Sequence, residues 1–204
     1  MASAINVGTG AVCDTLLLSA SMATSFPSSI LLFLDNDSSP LENSSKRSGK
    51  LKRLSIAFCN DRVCEGLIEV VQKLPMLEEL SLTHTDITIE GIEALGRSCP
   101  RLKSFELNSI YCKEDGKDDE ALAIAKNLPT LHHLRLIGNS MTKEGLQAIL
   151  DGCPNLVSLD LRLCYDLTLL IALISGRFSR QIKHVKNPFD SLEGFKYAFA
   201  YAYP

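Results

Sequence analysis

Cysteine and histidine are the side chains of this sequence that could bind a metal ion or act as nucleophiles, and the chain has seven and four of them. Cys59 and Cys64 are close in sequence, but no CxxC pair or Cys/His cluster accompanies them, as a zinc site would need. His132 and His133 are adjacent, so on a strand their side chains point to opposite faces and cannot act as a pair. The sequence also has no phosphate-loop, dinucleotide, HExxH or GxSxG motif. We therefore expect a non-catalytic protein without metal or cofactor.

The other candidate functional residues are polar side chains that alternate with leucines in five short segments. In a strand, alternation places the leucines on one face and the residues between them on the other. Glu106, Arg135 and Asp160 occupy the same position in three successive segments. This predicts a cross-strand ion ladder of roughly 0.2–1 kcal/mol per pair, or a charged strip that orients a bound protein segment, and the two are compatible. The predicted partner-binding residues are Arg53, Glu79, Thr83, Glu106, Asn108, His133, Arg135, Asp160 and Arg162.

The stretch from Leu131 to Leu161 shows which elements position these side chains. Leucines alternate at its start, as in a strand. Apolar residues then recur at i, i+3 and i+4 between Leu146 and Leu150, as in an amphipathic helix. Pro154 ends that helix and returns the chain to extended geometry.

This strand-plus-helix unit recurs at spacings of 25 to 29 residues. A repeat of that length with this pattern is the signature of a leucine-rich-repeat solenoid. We therefore predict an α/β fold with a curved parallel sheet on the concave side and helices on the convex side. About five repeats are expected, starting at Leu51, Leu77, Leu102, Leu131 and Leu156.

Four of the cysteines fit this repeat as core residues. Cys59 and Cys164 each lie eight residues after an opening leucine, at a position that turns inward toward the neighbouring repeat. Cys99 and Cys153 occupy the last helical position before a proline. A free cysteine in such a position behaves as a small hydrophobic residue, and no disulfide is expected.

The predicted solenoid occupies residues 51–164, and its flanks differ in composition. Residues 1–50 are rich in serine and turn-forming residues, which predicts a disordered leader or a cap on the open end of the first repeat. Residues 165–204 are predicted to form a C-terminal cap and tail, and the run 195–203 could be an edge strand, an adhesive tail or an unstructured end. Residues 113–119 are a charged insertion in the third repeat, predicted to be a solvated loop or a partner contact.

Charge and hydropathy argue against two classes of partner. A formal net charge of −3 gives no basic surface for nucleic acid or for an anionic membrane.

No apolar run approaches the roughly 18–20 residues that cross a bilayer. The first basic residue is Lys46, so the charged start of a secretory signal and an Arg-rich transit peptide are not recognised. The sequence predicts a protein of the cytoplasm, the nucleus or both.

The residues of the repeats resemble those of a known family. Residues 119–129, 132–139, 144–154 and 159–164 are similar to the repeats of plant F-box/LRR proteins of the Skp1-interacting-partner type. In that family the F-box docks Skp1, and the repeats hold the protein that an SCF (Skp1–cullin–F-box) ligase ubiquitinates. The resemblance implies a substrate-recognition module with a substrate protein on the concave face.

Residues 1–50 depart from the family pattern. They lack the Leu-Pro opening, the helical periodicity and the tryptophan of an F-box, and the closest phrase, residues 26–34, is too short for three helices. Binding to Skp1 and cullin is therefore implied by the resemblance alone. The residues also leave open a stand-alone interaction scaffold, or a leucine-rich-repeat regulator that stimulates a small GTPase.

Overall fold

A computed structural model of the chain describes residues 4–6, 31–35, 51–59, 67–69, 71–85, 87–109, 118–170 and 181–198. Eight strands lie side by side in one sheet in the order of the chain. They are β1 (Ala4–Asn6), β2 (Leu31–Asp35), β3 (Arg53–Cys59), β4 (Glu79–Thr85), β5 (Ser104–Asn108), β6 (His133–Arg135), β7 (Ser158–Asp160) and β8 (His184–Lys186). The helices with described bounds are α1 (Ile89–Ser98), α2 (Asp119–Asn127) and α3 (Lys143–Gly152), and a 3₁₀ helix spans Tyr165–Leu170.

The sheet from β3 to β8 is parallel, as a solenoid of strand–helix repeats requires. Equivalent residues of successive repeats are paired, so that Leu80 lies opposite Leu54 and Phe105, and Leu134 lies opposite Leu159. Strands β1 and β2 instead run antiparallel, with β2 pairing to β3. The sheet does not close on itself, and the predicted leucine-rich-repeat solenoid is confirmed.

The leucines that define the repeat form one continuous core between the sheet and the helices. Leu77, Leu102, Leu131 and Leu156, which open four of the repeats, have no exposed surface. Each is surrounded by residues of its own and neighbouring repeats, so the core runs along the solenoid. Burying a leucine side chain contributes roughly 1.5–3 kcal/mol, so each of these four leucines stabilises the fold substantially.

The helices begin and end where the sequence places caps and prolines. Thr88 and Thr142 precede α1 and α3, and their hydroxyls accept hydrogen bonds from backbone N–H groups of the first turn. Adjacent helices pack closely along the convex side. A Cβ at Gly152 would lie closer than van der Waals contact to the carbonyl oxygen of Ala125 on α2, so this position needs glycine.

The cysteines whose side chains the structure describes lie in the core, as predicted. The thiols of Cys99 and Cys153 lie 3.6 and 3.5 Å from the carbonyl oxygens of Leu74 and Leu128 in the preceding repeat. Burial raises the pKa of both thiols to about 11. Cys164 donates to the carbonyl oxygen of Leu136 at 2.8 Å, whereas the side chain of Cys59 is outside the described residues.

Strand β8 is the main departure from the predicted repeat count. It adds a sixth parallel strand, in which Val185 pairs with Leu159 and Ile182 enters the core. The sequence pattern assigns these residues to the C-terminal cap instead of a repeat. Isoleucine and valine stand where the other repeats have leucine, and no amphipathic helix ending in proline precedes them. The boundaries proposed for the leader and tail remain predictions, and the insertion loop lies largely outside the described residues.

The described part of the chain lacks two kinds of feature. None of its helices is long and apolar enough to cross a membrane. The same residues contain no group of three or more His, Cys, Asp or Glu side chains placed to hold a metal ion.

Candidate partner-binding site on the concave face

The outward-facing residues of the parallel strands form three rows across the sheet, because each strand presents every second residue. The first row contains Arg53, Glu79, Ser104, His133, Ser158 and His184. The middle row contains Ser55, Ser81, Glu106, Arg135, Asp160 and Lys186. The next outward positions form the last row, which contains Ala57, Thr83, Asn108, Ile137 and Arg162. Exposure falls from the first row to the last.

The last row is buried, and a segment from the C-terminal part of the chain covers it. This C-terminal segment, residues 187–198, places Phe195 and Tyr197 against Ala57 and Ile137 in a small apolar cluster separate from the main core. Its backbone is anchored beside β7, where the Leu163 N–H donates to the Pro188 carbonyl at 2.9 Å. The concave face is therefore divided into a covered side and an open side.

Arg162 joins the C-terminal segment to the sheet. Its side chain is 1% exposed and donates from Nε and Nη2 to the two carboxylate oxygens of Asp160, at 2.9 and 2.7 Å. Its Nη1 donates to the carbonyl oxygen of Ser191 at 2.7 Å. A buried guanidinium needs such partners, because an unpaired charge in the interior is costly.

The two aromatic rings lie over the middle and last rows. The guanidinium carbons of Arg135 and Arg162 are 5.7 and 5.9 Å from the centre of the Phe195 ring, within the range of cation–π attraction. The rings of Phe195 and Tyr197 meet edge to face with centres 5.9 Å apart. The pKa of the Tyr197 hydroxyl is raised, chiefly by burial. A hydrogen bond with Ser55 offsets part of this increase, and the negative charge of Glu106 adds to it.

The middle row contains the predicted ion ladder. Arg135 Nη1 lies 2.7 Å from Glu106 Oε1, and Arg135 Nε lies 3.2 Å from Asp160 Oδ2. Ser81 extends the network by donating from Oγ to Glu106 at 2.8 Å. Since the two carboxylates share Arg135 and one also binds Arg162, the negative charges of the row are compensated within the sheet.

An open cavity of about 240 Å³ lies over the first and middle rows, next to the ladder. Its side chains are polar or charged except for one leucine. They are Ser104, Glu106, His133, Leu134, Arg135, Ser158, Asp160, His184 and Lys186. Lys186 adds an exposed positive charge beside the carboxylates of Glu106 and Asp160, which already pair with Arg135 and Arg162.

The structure separates the nine predicted partner-binding residues into two groups. Arg53, Glu79 and His133 are exposed, and Glu106 and Arg135 are partly exposed in the middle row. A partner could touch these five directly, although Arg53 and Glu79 already pair at 3.1 Å. The other four are buried, and the expectation that they present free surface is revised; they are Thr83, Asn108, Asp160 and Arg162.

The buried amide and hydroxyl of the last row connect neighbouring repeats. Asn108 donates from Nδ2 to the Thr83 hydroxyl at 3.2 Å and accepts from the Ile137 N–H at 3.2 Å. The side chains of Asn108 and Thr83 are thus hydrogen-bonded beneath the C-terminal segment. These bonds link strands β4 and β5 to the chain that follows β6.

Sequence reasoning missed His184, Lys186 and the covering aromatic residues. The spacing of Ile182 and Val185 repeats the first two positions of the strand phrase and is the signal that could have found β8. Ala57 and Ile137 gave a second signal, because apolar residues at outward positions of a binding face imply that something covers them.

Comparison with known proteins agrees with the geometry. A family model described as Leucine Rich repeat matches residues 73–96 and 127–150. F-box/LRR-repeat protein 23 of Arabidopsis thaliana is 43% identical over 148 residues, which cover 71% of this chain and 33% of that protein. F-box protein SKIP19 of the same plant is 40% identical over 146 residues, which cover 72% of this chain and 47% of that protein.

The chain spans about half or less of the length of the curated relatives it matches. The similarity includes the repeats that form the sheet and the concave face. The chain folds as a leucine-rich-repeat solenoid, and its homologues are F-box and F-box/LRR-repeat proteins of Arabidopsis thaliana.

Proposed function

We propose that this chain is a non-catalytic protein-recognition module of the kind that selects substrates for an SCF ubiquitin ligase. The observation that carries the proposal is its homology to F-box/LRR-repeat proteins across the repeats. The names of two relatives, SKIP19 and SKIP1, support Skp1 as a partner of this family. The substrate would be a protein bound on the concave face.

The open side of the concave face supplies a surface suited to that role. A carboxylate of a partner placed in the cavity would meet Lys186, the two exposed imidazoles of His133 and His184, and the partly exposed guanidinium of Arg135. The ion ladder holds Arg135 in a fixed orientation, so binding costs little side-chain ordering. We therefore propose an acidic segment as the part of the substrate that enters the cavity.

A stand-alone interaction scaffold is the second candidate, and one observation favours it. Residues 31–35 overlap the sequence phrase closest to an F-box, yet they form strand β2 and pair with β3. An F-box consists of helices, so these residues do not contribute a helix of that kind here. The scaffold would bind a protein on the same face without a ligase.

A pull-down with purified Skp1 distinguishes the two candidates. The full chain and a 46–204 fragment are compared, with circular dichroism confirming that both are folded. Binding by the full chain that is lost in the fragment would support a ligase receptor whose Skp1 contact lies in residues 1–45. A folded full chain that does not bind Skp1 would contradict the ligase role for this chain and favour the scaffold.

A further inference from the structure

The C-terminal segment lies on the same face that the proposed function assigns to a partner. Phe195 and Tyr197 are buried there, although they follow Gly194, which has a φ of +76°. A Cβ at Gly194 would have no neighbouring atom within 4 Å, so the backbone turns there in open space. Gly194 thus connects the part of the segment that is hydrogen-bonded through Pro188 and Ser191 to the aromatic pair, at a turn with open space beside the glycine.

The surface beneath the aromatic pair has the composition of a ligand site. Ala57 and Ile137 provide apolar contact in the last row, whose other residues are polar, and two guanidinium groups approach the Phe195 ring from the sheet. This combination selects an aromatic side chain, because an aliphatic one would gain the apolar contact without the cation–π attraction.

Arg135 connects the aromatic site to the open cavity. It lines the cavity, pairs with Glu106 and Asp160, and lies 5.7 Å from the centre of the Phe195 ring. One extended segment could therefore place an acidic group in the cavity and an aromatic ring at the position of Phe195.

We infer that the C-terminal segment is a resident ligand of the concave face, and that a partner binds by placing an aromatic side chain of its own where Phe195 lies. The inference rests on the proposed function, since it names the partner chemistry of the same face. In the resting protein the segment covers the last row, and a partner competes with it for the contacts with Arg135, Arg162, Ala57 and Ile137.

The test uses the full chain and a fluorescent peptide of residues 188–198 as the probe. The double variant Phe195→Ala/Tyr197→Ala should bind the peptide at least about ten times more tightly than the unchanged protein, whose own segment occupies the site. A peptide with alanine at the position of Phe195 should bind the double variant at least about tenfold more weakly. Arg135→Gln added to the double variant should also weaken binding, whereas Lys143→Ala on the exposed surface of α3 should not.

Hydrogen exchange of the unchanged full chain provides a second, independent measurement. If the segment is a ligand, amides of residues 195–198 exchange through a local opening while those of β5 to β7 stay protected. Exchange of 195–198 only at the rate of global unfolding would overturn the inference, as would a double variant that fails to fold or a folded one that does not bind the peptide. Neither result depends on Skp1, so the failure of this inference is distinguishable from failure of the proposed function.

Discussion

Replacing Asp160 by asparagine tests the charge network that links the sheet to the C-terminal segment. The aspartate carboxylate is 8% exposed, receives two hydrogen bonds from the Arg162 guanidinium at 2.9 and 2.7 Å and one from the Arg162 backbone N–H at 3.3 Å, and forms an ion pair with Arg135 at 3.2 Å. Asparagine has nearly the same shape, so the change removes charge and one acceptor without making a cavity.

The expected loss follows from these contacts. Removing one member of a buried ion pair costs about 3–5 kcal/mol, because the remaining charge is left buried without compensation. The asparagine oxygen still accepts one hydrogen bond, and Arg162 keeps the Ser191 carbonyl, so we expect the lower end, about 3 kcal/mol. Adding Arg162→Met removes the stranded guanidinium, so the double variant should be more stable than the sum of the two single losses predicts.

Urea denaturation followed by circular dichroism measures this loss as a change in the free energy of unfolding. Asp166→Asn, an exposed aspartate in the 3₁₀ helix, is the matched control and should change stability by less than about 0.5 kcal/mol. A loss below about 1 kcal/mol for Asp160→Asn would refute the reasoning, since it would mean that water or another donor compensates the guanidinium.

Three further predictions concern other parts of the fold. Burial lowers the pKa of His84 to about 4, so the folded state favours the neutral imidazole, and stability should fall as the pH drops from about 6.5 toward 4. In thermal melts, His84→Asn should flatten that dependence, and asparagine tolerates the φ of +53° at this position. Gly152→Ala should destabilise by about 1–3 kcal/mol in urea, because the contact with Ala125 outweighs the better helix propensity of alanine. The buried thiols of Cys99 and Cys153 have pKa values of about 11 and ionise more readily in the unfolded chain, so stability should decrease between about pH 9 and 11. Both thiols should react with iodoacetamide only after unfolding, as mapped by mass spectrometry.

Each of these has an outcome that would contradict it. An unchanged acid limb of the stability curve in His84→Asn would assign the pH dependence to other groups. A more stable Gly152→Ala variant would mean that α2 and α3 can separate at no cost. Rapid alkylation of Cys99 in the folded protein at neutral pH would contradict its burial, and an exposed-surface variant such as Lys143→Ala serves as the control for all three experiments.

The repeat and its core could be predicted because they follow from short-range periodicity. Leu134 and Leu136 point inward for the same reason as their counterparts in every other strand, and Cys164 contacts the Leu136 carbonyl because its position turns inward. The ion ladder could also be predicted, since parallel strands in register bring Glu106, Arg135 and Asp160 together.

The covered side of the concave face could not be predicted from the same information. Whether Asn108 or Arg162 is exposed depends on where residues 187–198 fold, and no periodic pattern relates that segment to the strands it covers. The aromatic residues at 195 and 197 were visible in the sequence, but their partners lie on strands and loops from several repeats. Only the apolar side chains of Ala57 and Ile137 at outward positions indicated that part of this face is shielded from water.

The contact of Phe195 and Tyr197 with Ala57 also bears on how the protein unfolds. In a repeat solenoid each unit touches only its neighbours, so the end repeats can fray independently and the transition can broaden. Here the cluster joins the first repeat to a segment beyond the last strand, more than a hundred residues later in the chain. Such a non-local contact slows folding, because a long loop must close before the contact forms, but it couples the two ends. While it is in place, the C-terminal segment therefore couples the first repeat to the last, and when it opens locally the end repeats can fray independently while the central strands stay folded.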